Sequence, residues 1–228
     1  MNAMILAAGK GERMRPLTLT TPKPLLEAGG KALIVHHLER LKAAGFCQVV
    51  INHAWLGEQI ESALTDGSRF GVVITYSREQ EPLETAGGIL QALPLLTGAG
   101  QDWFLVVNGD IWCDFNLALL TPPAGEATAV LVMVDNPPHH PDGDFNLDHH
   151  GRVHDRGRPA LTFSGISLLH RSLFEGLEHG KQKLAPILKA AMGRNQVHGI
   201  HHRGLWFDIG TPERLTQLDQ QLTTLEGA

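Results

Sequence analysis

Met4-Ile5-Leu6-Ala7-Ala8-Gly9-Lys10-Gly11-Glu12-Arg13-Met14-Arg15-Pro16-Leu17-Thr18, with Pro22-Lys23-Pro24-Leu25 close behind, is the stretch from which the fold can be read. Met4 to Ala8 is an unbroken apolar run ending in glycines. Such a run reads as a short strand buried on both faces, the condition of a central strand in a parallel sheet. It delivers the chain into a glycine-rich loop whose backbone N–H groups are open to an anion. With arginine and lysine nearby to add fixed positive charge, the loop suits a triphosphate. Two familiar phosphate loops do not fit. A dinucleotide Gly-x-Gly-x-x-Gly requires glycine where Met14 stands, and a P-loop ending at Gly30-Lys31 requires Ser or Thr where Ala32 stands.

Outward from that loop the hydrophobic period alternates. Ile34, Leu38 and Leu41 make one helical face, stopped by Gly45 as a C-terminal cap, and Val49 to Ile51 form the next buried strand. Leu56, Ile60 and Leu64 mark a second helix, and Val72 to Tyr76 a third strand. Gly88 to Leu96 reads as helix and Phe104 to Val107 as a fourth strand. This alternation predicts an α/β fold: a Rossmann-like, mixed but mainly parallel sheet flanked by helices, in one domain spanning 1–228. Further strands are expected at Ala129 to Val134 and Leu161 to Leu169, with helices at Leu184 to Ala191 and Pro212 to Leu225. Residues 135–159 are rich in turn formers, but Phe145, Leu147 and Val153 predict a hairpin. The segment at about 135–160 is therefore read as a small β lid rather than a linker.

Composition narrows the function. The formal net charge of −5 argues against a general nucleic-acid binder, whose basic surface would release counterions from phosphates. No run approaches the ~20 apolar residues of a membrane span, and the N-terminal apolar stretch is too short for a signal-peptide core. The two cysteines, Cys47 and Cys113, have neither disulfide-scaffold nor zinc-type spacing, so a reducing cytoplasm is expected, with small-molecule substrates as partners.

Three further motifs carry chemistry. Glu81-Pro82-Leu83-Glu84-Thr85-Ala86-Gly87-Gly88 opens a helix, whose N-terminus attracts anions and whose glycines would let a base or ribose approach the backbone. Asn108-Gly109-Asp110 stands at the carboxyl end of a buried strand, where open α/β sheets place their ligand chemistry. Trp206-Phe207-Asp208-Ile209-Gly210-Thr211-Pro212 puts a second aspartate in a turn before the last helix, and Mg²⁺ prefers carboxylate oxygens together with substrate phosphates. Alone, either aspartate reads as a turn or cap residue. The adjacent pairs His139-His140, His149-His150 and His201-His202 invite a metal reading too. Neighbours in a strand point to opposite faces and no His-x-x-x-His on a helix accompanies them, so solvated surface histidines are expected.

The glycine-loop stretch with its downstream Pro22-Lys23 resembles the signature of the sugar-1-phosphate nucleotidyltransferases. The resemblance implies a catalytic role for Arg13 and a phosphate-binding one for Lys23. It further implies nucleotide contacts at Ala8, Gly9, Gly11, Glu12, Arg13, Lys23, Glu81 and Gly87, and a Mg²⁺ ion on Asp110 and Asp208. Sugar contacts would fall at Asn108, Gly143, Asp144, Asn146, Thr162 and Gly165. Ile51 to Gly57, Asp66 to Gly71 and Glu81 to Gly88 extend the likeness, almost end to end, to the N-acetylmuramate α-1-phosphate uridylyltransferases of bacterial cell-wall recycling. Two departures stand out. Glu84 occupies a position where many members carry glycine, and Arg156 and Arg158 stand where relatives have a Glu-Lys pair for the sugar phosphate.

On this likeness the expected reaction is transfer of UMP from UTP to a sugar 1-phosphate with release of pyrophosphate. Thymidylyl or guanylyl transfer to a glucose or mannose phosphate is the rival within the class. A non-catalytic sugar-nucleotide sensor on the same fold would have little reason to keep Arg13, Lys23, Asp110 and Asp208 together; a nicotinamide dehydrogenase would share the sheet, but Met14 breaks its glycine fingerprint, and absence of nicotinamide binding would settle the point.

Overall fold

The computed structural model describes residues 1–98 and 100–226, so the last two residues of the expected 1–228 domain lie outside it. Strand β1 (Ala3–Leu6) lies between β4 (Gln48–His53) and β6 (Trp103–Asn108), parallel to both, and β5 (Val73–Arg78) continues the parallel set beyond β4. The unbroken apolar run of β1 has a direct cause. Ala3 and Ile5 pack on one face with Ile34, Leu38 and Leu105, while Met4 packs on the other with Val50, Ile89 and Val106. All three are fully buried, and burial of a side chain the size of Ile5 or Met4 contributes about 1.5–3 kcal/mol.

Helices α1 (Leu33–Ala43) and α2 (Gly57–Leu64) supply the first face, and α3 (Glu84–Leu96) and α4 (Leu184–Gly193) the second. Gly45 follows α1 with φ 87°, the left-handed geometry expected of its cap.

The second half turns the sheet antiparallel. Strand β11 (Ala160–His170) runs against β6 on one side and β8 (Ala129–Val134) on the other, and β12 (Val197–His202) pairs in parallel with β8. The expected hairpin forms as β9 (Phe145–Leu147) and β10 (Val153–His154). It pairs with the first residues of β11, and Phe145 and Val153 enter the core. The hairpin thus extends the sheet, and the 135–144 segment ahead of it sets His139 beside Asp208.

Two small ladders complete the frame: β2 (Glu27–Ala28) with β3 (Lys31–Ala32), and β7 (Ile111–Cys113) with β13 (Trp206–Asp208). Asp208, expected in a turn, ends a strand. Helix α5 (Pro212–Glu226) packs Leu218 and Leu222 with Met14, Leu26 and Leu33, tying the end of the chain to the glycine-loop region. Among the described residues no helix is long and apolar enough to cross a membrane.

Candidate active site

A cavity of about 720 Å³ opens at the carboxyl ends of β1 and β6. Its wall begins where Ala7 N donates to Asn52 Oδ1 at 2.9 Å, fixing the exit from β1. Gly11 follows with φ 62°, and a Cβ there would lie 2.9 Å from the Thr18 methyl group, so the turn admits only glycine. Met14 is fully buried and anchors the single helical turn Glu12–Met14, leaving Glu12 and Arg13 exposed at the cavity. Ala8, Gly9 and Gly11 line the same wall.

Lys23 crosses to the opposite side, nine-tenths buried, and donates from Nζ to Asp110 Oδ2 at 2.8 Å. Asp110 is placed by Gly109, whose N–H donates to Leu6 O at 2.9 Å and where a Cβ would lie 2.6 Å from that same oxygen. Ile209 N donates to Asp110 O at 2.8 Å, and Asp208 pairs with Ile111 in the β7–β13 ladder. The backbones of the two aspartates therefore meet, but their side chains face different spaces: Asp110 lines the cavity and Asp208 a second groove beside it. Arg214 Nη1 donates to Asp208 Oδ2, and His139 Nε2 lies 3.1 Å from Oδ1. Carboxylates offer only oxygen, the donor type that a hard divalent cation takes together with substrate phosphates.

At the far end of the cavity Glu81 pairs with Lys181 at 2.6 Å. Lys181 belongs to a loop seated on the start of α3, where Ala86 N and Gly87 N both donate to Gln182 O. This corrects the reading of the paired glycines. A Cβ on Gly87 would lie 2.1 Å from Gly180 O, and one on Gly88 would lie 2.6 Å from Glu79 Oε1. Both close approaches are internal, and Gly87 is covered by the loop instead of facing the cavity. Glu84 keeps φ 63°, the left-handed backbone a glycine would favour, and lines the cavity. Beneath it Glu79 accepts from Asn52 Nδ2 at 2.6 Å and from Leu83 N at 2.9 Å, and burial pushes its carboxyl above the ordinary range.

The residues expected at the sugar divide into two groups. Asn108 lines the cavity, and Gly165, at φ 83° in the irregular register of β11, lets the Asn108 side chain pack against it. The other four spend their groups on bracing. Gly143 fits its backbone against residues 160 and 161; Asp144 accepts from Phe163 N at 2.8 Å. Thr162 donates to Asn136 Oδ1 at 2.9 Å, and Asn146 donates to Pro159 O at 2.7 Å. Arg156 and Arg158 are exposed and do not line this cavity.

Of the paired histidines, His139, His149 and His150 are exposed as expected, and His140, His201 and His202 are partly buried. His139 meets Asp208, His140 meets Asp144, His201 meets Asp135, and His202 meets Asp114 at 2.6 Å, while His149 and His150 stack on each other. Cys113, Asp114 and His202 bring their ligand-type atoms within 4.8 Å of one another, a gathering that the cysteine spacing does not reveal. Burial pushes the Cys113 thiol up to about 11, and the buried Arg40 guanidinium interacts with both Cys113 and Asp114. A cation there would face a fixed positive charge and a thiol held protonated.

Asn52, Glu79, Lys181 and Arg214 are not among the expected site residues, and His139 is expected only as a solvated histidine. Asn52 near the end of β4 and Glu79 just after β5 stand at the carboxyl ends of parallel strands, a position that could have flagged them, whereas Lys181, Arg214 and His139 reach the site through long-range packing.

The sequence profile of the nucleotidyl transferase family matches residues 2–155, which cover the glycine loop, Lys23 and Asp110. The chain belongs to this family. N-acetylmuramate alpha-1-phosphate uridylyltransferase of Neisseria meningitidis serogroup B is 55% identical to this nucleotidyltransferase over 95% of the chain and 96% of its own length. A mannose-1-phosphate guanylyltransferase catalytic subunit beta of Drosophila pseudoobscura pseudoobscura is 33% identical over 92% of the chain, which spans 59% of that relative. Among solved structures, one described as a glucose-1-phosphate thymidylyltransferase from Bacillus anthracis superimposes with TM-score 0.84 at 21% identity, covering 98% of this chain and 95% of that one. HddC of Yersinia pseudotuberculosis gives 0.75 at 21% identity, covering 96% and 98%. These two establish a shared fold.

Proposed function

We propose that this nucleotidyltransferase transfers UMP from UTP to N-acetylmuramate α-1-phosphate, releasing pyrophosphate, with Mg²⁺ held by Asp110 and Asp208. The carrying observation is the cavity at the carboxyl ends of β1 and β6, where the glycine loop, Arg13, Lys23 and Asp110 share one wall, with the backbone of Asp208 held beside that of Asp110 by the β7–β13 ladder. The choice of uracil nucleotide and muramate acceptor rests on the relative at 55% identity. The two free cysteines suit the reducing cytoplasm, where we place the reaction.

The acceptor phosphate, a monoester with a second pKa near ~6, is already dianionic at neutral pH and attacks the α-phosphorus in line without a general base. A P–O bond forms and the bond to the β-phosphate oxygen breaks. The backbone of Ala8, Gly9 and Gly11 cradles the triphosphate, Arg13 holds the departing pyrophosphate, and Lys23 turns from Asp110 to the α-phosphate. A cation on the two aspartates supplies the charge neutralisation that lets two anions approach. Glu12 and Glu81 line the nucleotide end, and Asn108, backed by Gly165, lines the sugar end. Gly143, Asp144, Asn146 and Thr162 fix the segment that closes beside the acceptor, and Gly87 seats the Lys181 loop against the nucleotide wall.

A pyrophosphate-release screen of UTP, TTP and GTP against muramate, glucosamine, glucose and mannose 1-phosphates tests the reading. Release is expected with UTP, abolished by EDTA and restored by Mg²⁺. Full activity in chelator would overturn the metal assignment, and release only with GTP or TTP would favour the rival in the same class.

A further inference from the structure

Beside the triphosphate cavity lies a second groove of about 440 Å³, between residues 137–139 and the start of α5, and two acids, Asp208 and Glu213, line it with Arg214. A hydrogen bond from the Thr211 hydroxyl lowers the pKa of Glu213, so the groove keeps its negative charge and repels an anion. Arg214, however, stands where the groove meets the cavity. Gly210 lines the cavity, and a Cβ there would lie 2.9 Å from Arg214 Nη1 and 3.4 Å from Arg13 Nη1. Any side chain at position 210 would therefore come between the two guanidinium groups, and glycine leaves the way open.

The two arginines differ in their partners. Arg13 lines the cavity while its neighbour Glu12 pairs with Arg15, whereas Arg214 Nη1 donates to Asp208 Oδ2 and His139 lies 3.1 Å from the other oxygen. Asp208 cannot offer one oxygen both to a cation and to Arg214, so its use as a metal ligand sets the guanidinium free. The Arg214 side chain is only 21% exposed, and a largely buried cation that loses its carboxylate needs another anion. Its planar donors match phosphate oxygens. The reaction supplies them on the Arg13 side: as the bond from the α-phosphorus breaks, its electron pair stays on the bridging oxygen, and pyrophosphate gains a negative charge for positioned donors to stabilise.

We propose that Arg214 is a second catalytic cation for the leaving group: released from Asp208, it turns past Gly210 and holds the departing pyrophosphate jointly with Arg13. This deepens the proposed nucleotidyl transfer and rests on it. In-line attack brings the acceptor phosphate to the opposite side of the α-phosphorus, so Arg214 meets the pyrophosphate and not the acceptor. When the product departs, Asp208 takes Arg214 back, and the guanidinium is paired at each stage.

Isothermal titration of pyrophosphate and of UMP, each with Mg²⁺ present, tests this in the wild type, Arg214→Gln and Arg214→Lys. UMP carries the uridine and the α-phosphate but nothing of the leaving group. Pyrophosphate affinity is expected to fall at least ~10-fold in Arg214→Gln, with partial recovery in Arg214→Lys, because a charge-assisted contact is lost and a lysine restores the charge without the planar donors. Affinity for UMP should stay within ~2-fold, which also reports an intact fold. Unchanged pyrophosphate affinity would overturn the proposal, and a shifted Mg²⁺ requirement beside it would make Arg214 a positioning residue for Asp208. Parallel loss of UMP binding would overturn it too. A wild type that binds no pyrophosphate would overturn the proposed reaction itself, and the role of Arg214 with it.

Discussion

Asp208 concentrates the chemistry of the site in one carboxylate, held by an arginine and a histidine and placed one ladder rung from Asp110. Replacing it with asparagine keeps the shape and removes the charge a cation needs. Asp208→Asn should lower turnover by ~100-fold or more at an unchanged melting temperature. A near-wild-type rate would return Asp208 to a structural role. His37 offers a prediction about stability. It is 2% exposed, its Nε2 has no partner, and burial, aided by the charges of Arg40 and His36, lowers its pKa from 6.5 to about 3. The unfolded chain takes up a proton near pH 6.5 that the folded chain refuses, so the contribution is complete above that pH and is lost as pH falls toward 3. Between pH 7.5 and 5 it should remove about 2 kcal/mol from the wild type that His37→Leu does not lose. Urea titrations at the two pH values measure this, and equal losses in both proteins would contradict it.

Elements differ in how plainly the sequence announces them. Strand β1 was legible because burial on both faces leaves no polar position in the run, and β4 and β6 follow the same rule. Strand β12 was missed. Beyond Val197 it is only partly buried, so its Val-His-Gly-Ile-His-His run carries no clear period. A metal pair of Asp110 and Asp208 is implied by motif likeness alone, and the register of β7 with β13, which brings their backbones together, depends on a return of the chain across most of its length. Gly87 shows the limit of reading a glycine: the close approach was legible, but its partner was not. Gly87→Ala pushes a methyl group into Gly180 O and should unseat the Lys181 loop from α3. Overpacking of this kind costs about 1–3 kcal/mol, enough to outweigh the ~1 kcal/mol that alanine contributes as a helix former. Thermal melting should show a lower midpoint and UTP should bind more weakly. Wild-type melting would mean that the loop tolerates the methyl group.

Across the whole molecule, the parallel half carries the nucleotide loop and the antiparallel half carries β13 and the 135–144 segment, so the site forms where the two halves meet. The sheet order, with β11 reversed against β6, brings Gly165 onto Asn108 and His139 onto Asp208. The acceptor side is therefore built by the half of the chain whose periodicity is weakest, which is why its residues were harder to name than the triphosphate loop. Substrate choice is the property that this junction controls. N-acetylmuramate 1-phosphate carries a lactyl carboxylate that glucose 1-phosphate lacks. A site that accommodates it should favour muramate by at least ~1.4 kcal/mol, or tenfold in kcat/KM. Competition of N-acetylmuramate, N-acetylglucosamine and glucose 1-phosphates at equal concentration with UTP and Mg²⁺, read by mass spectrometry of the nucleotide sugars, tests the account most directly. The account predicts a mixture dominated by UDP-N-acetylmuramate, and a mixture dominated by UDP-glucose would contradict it.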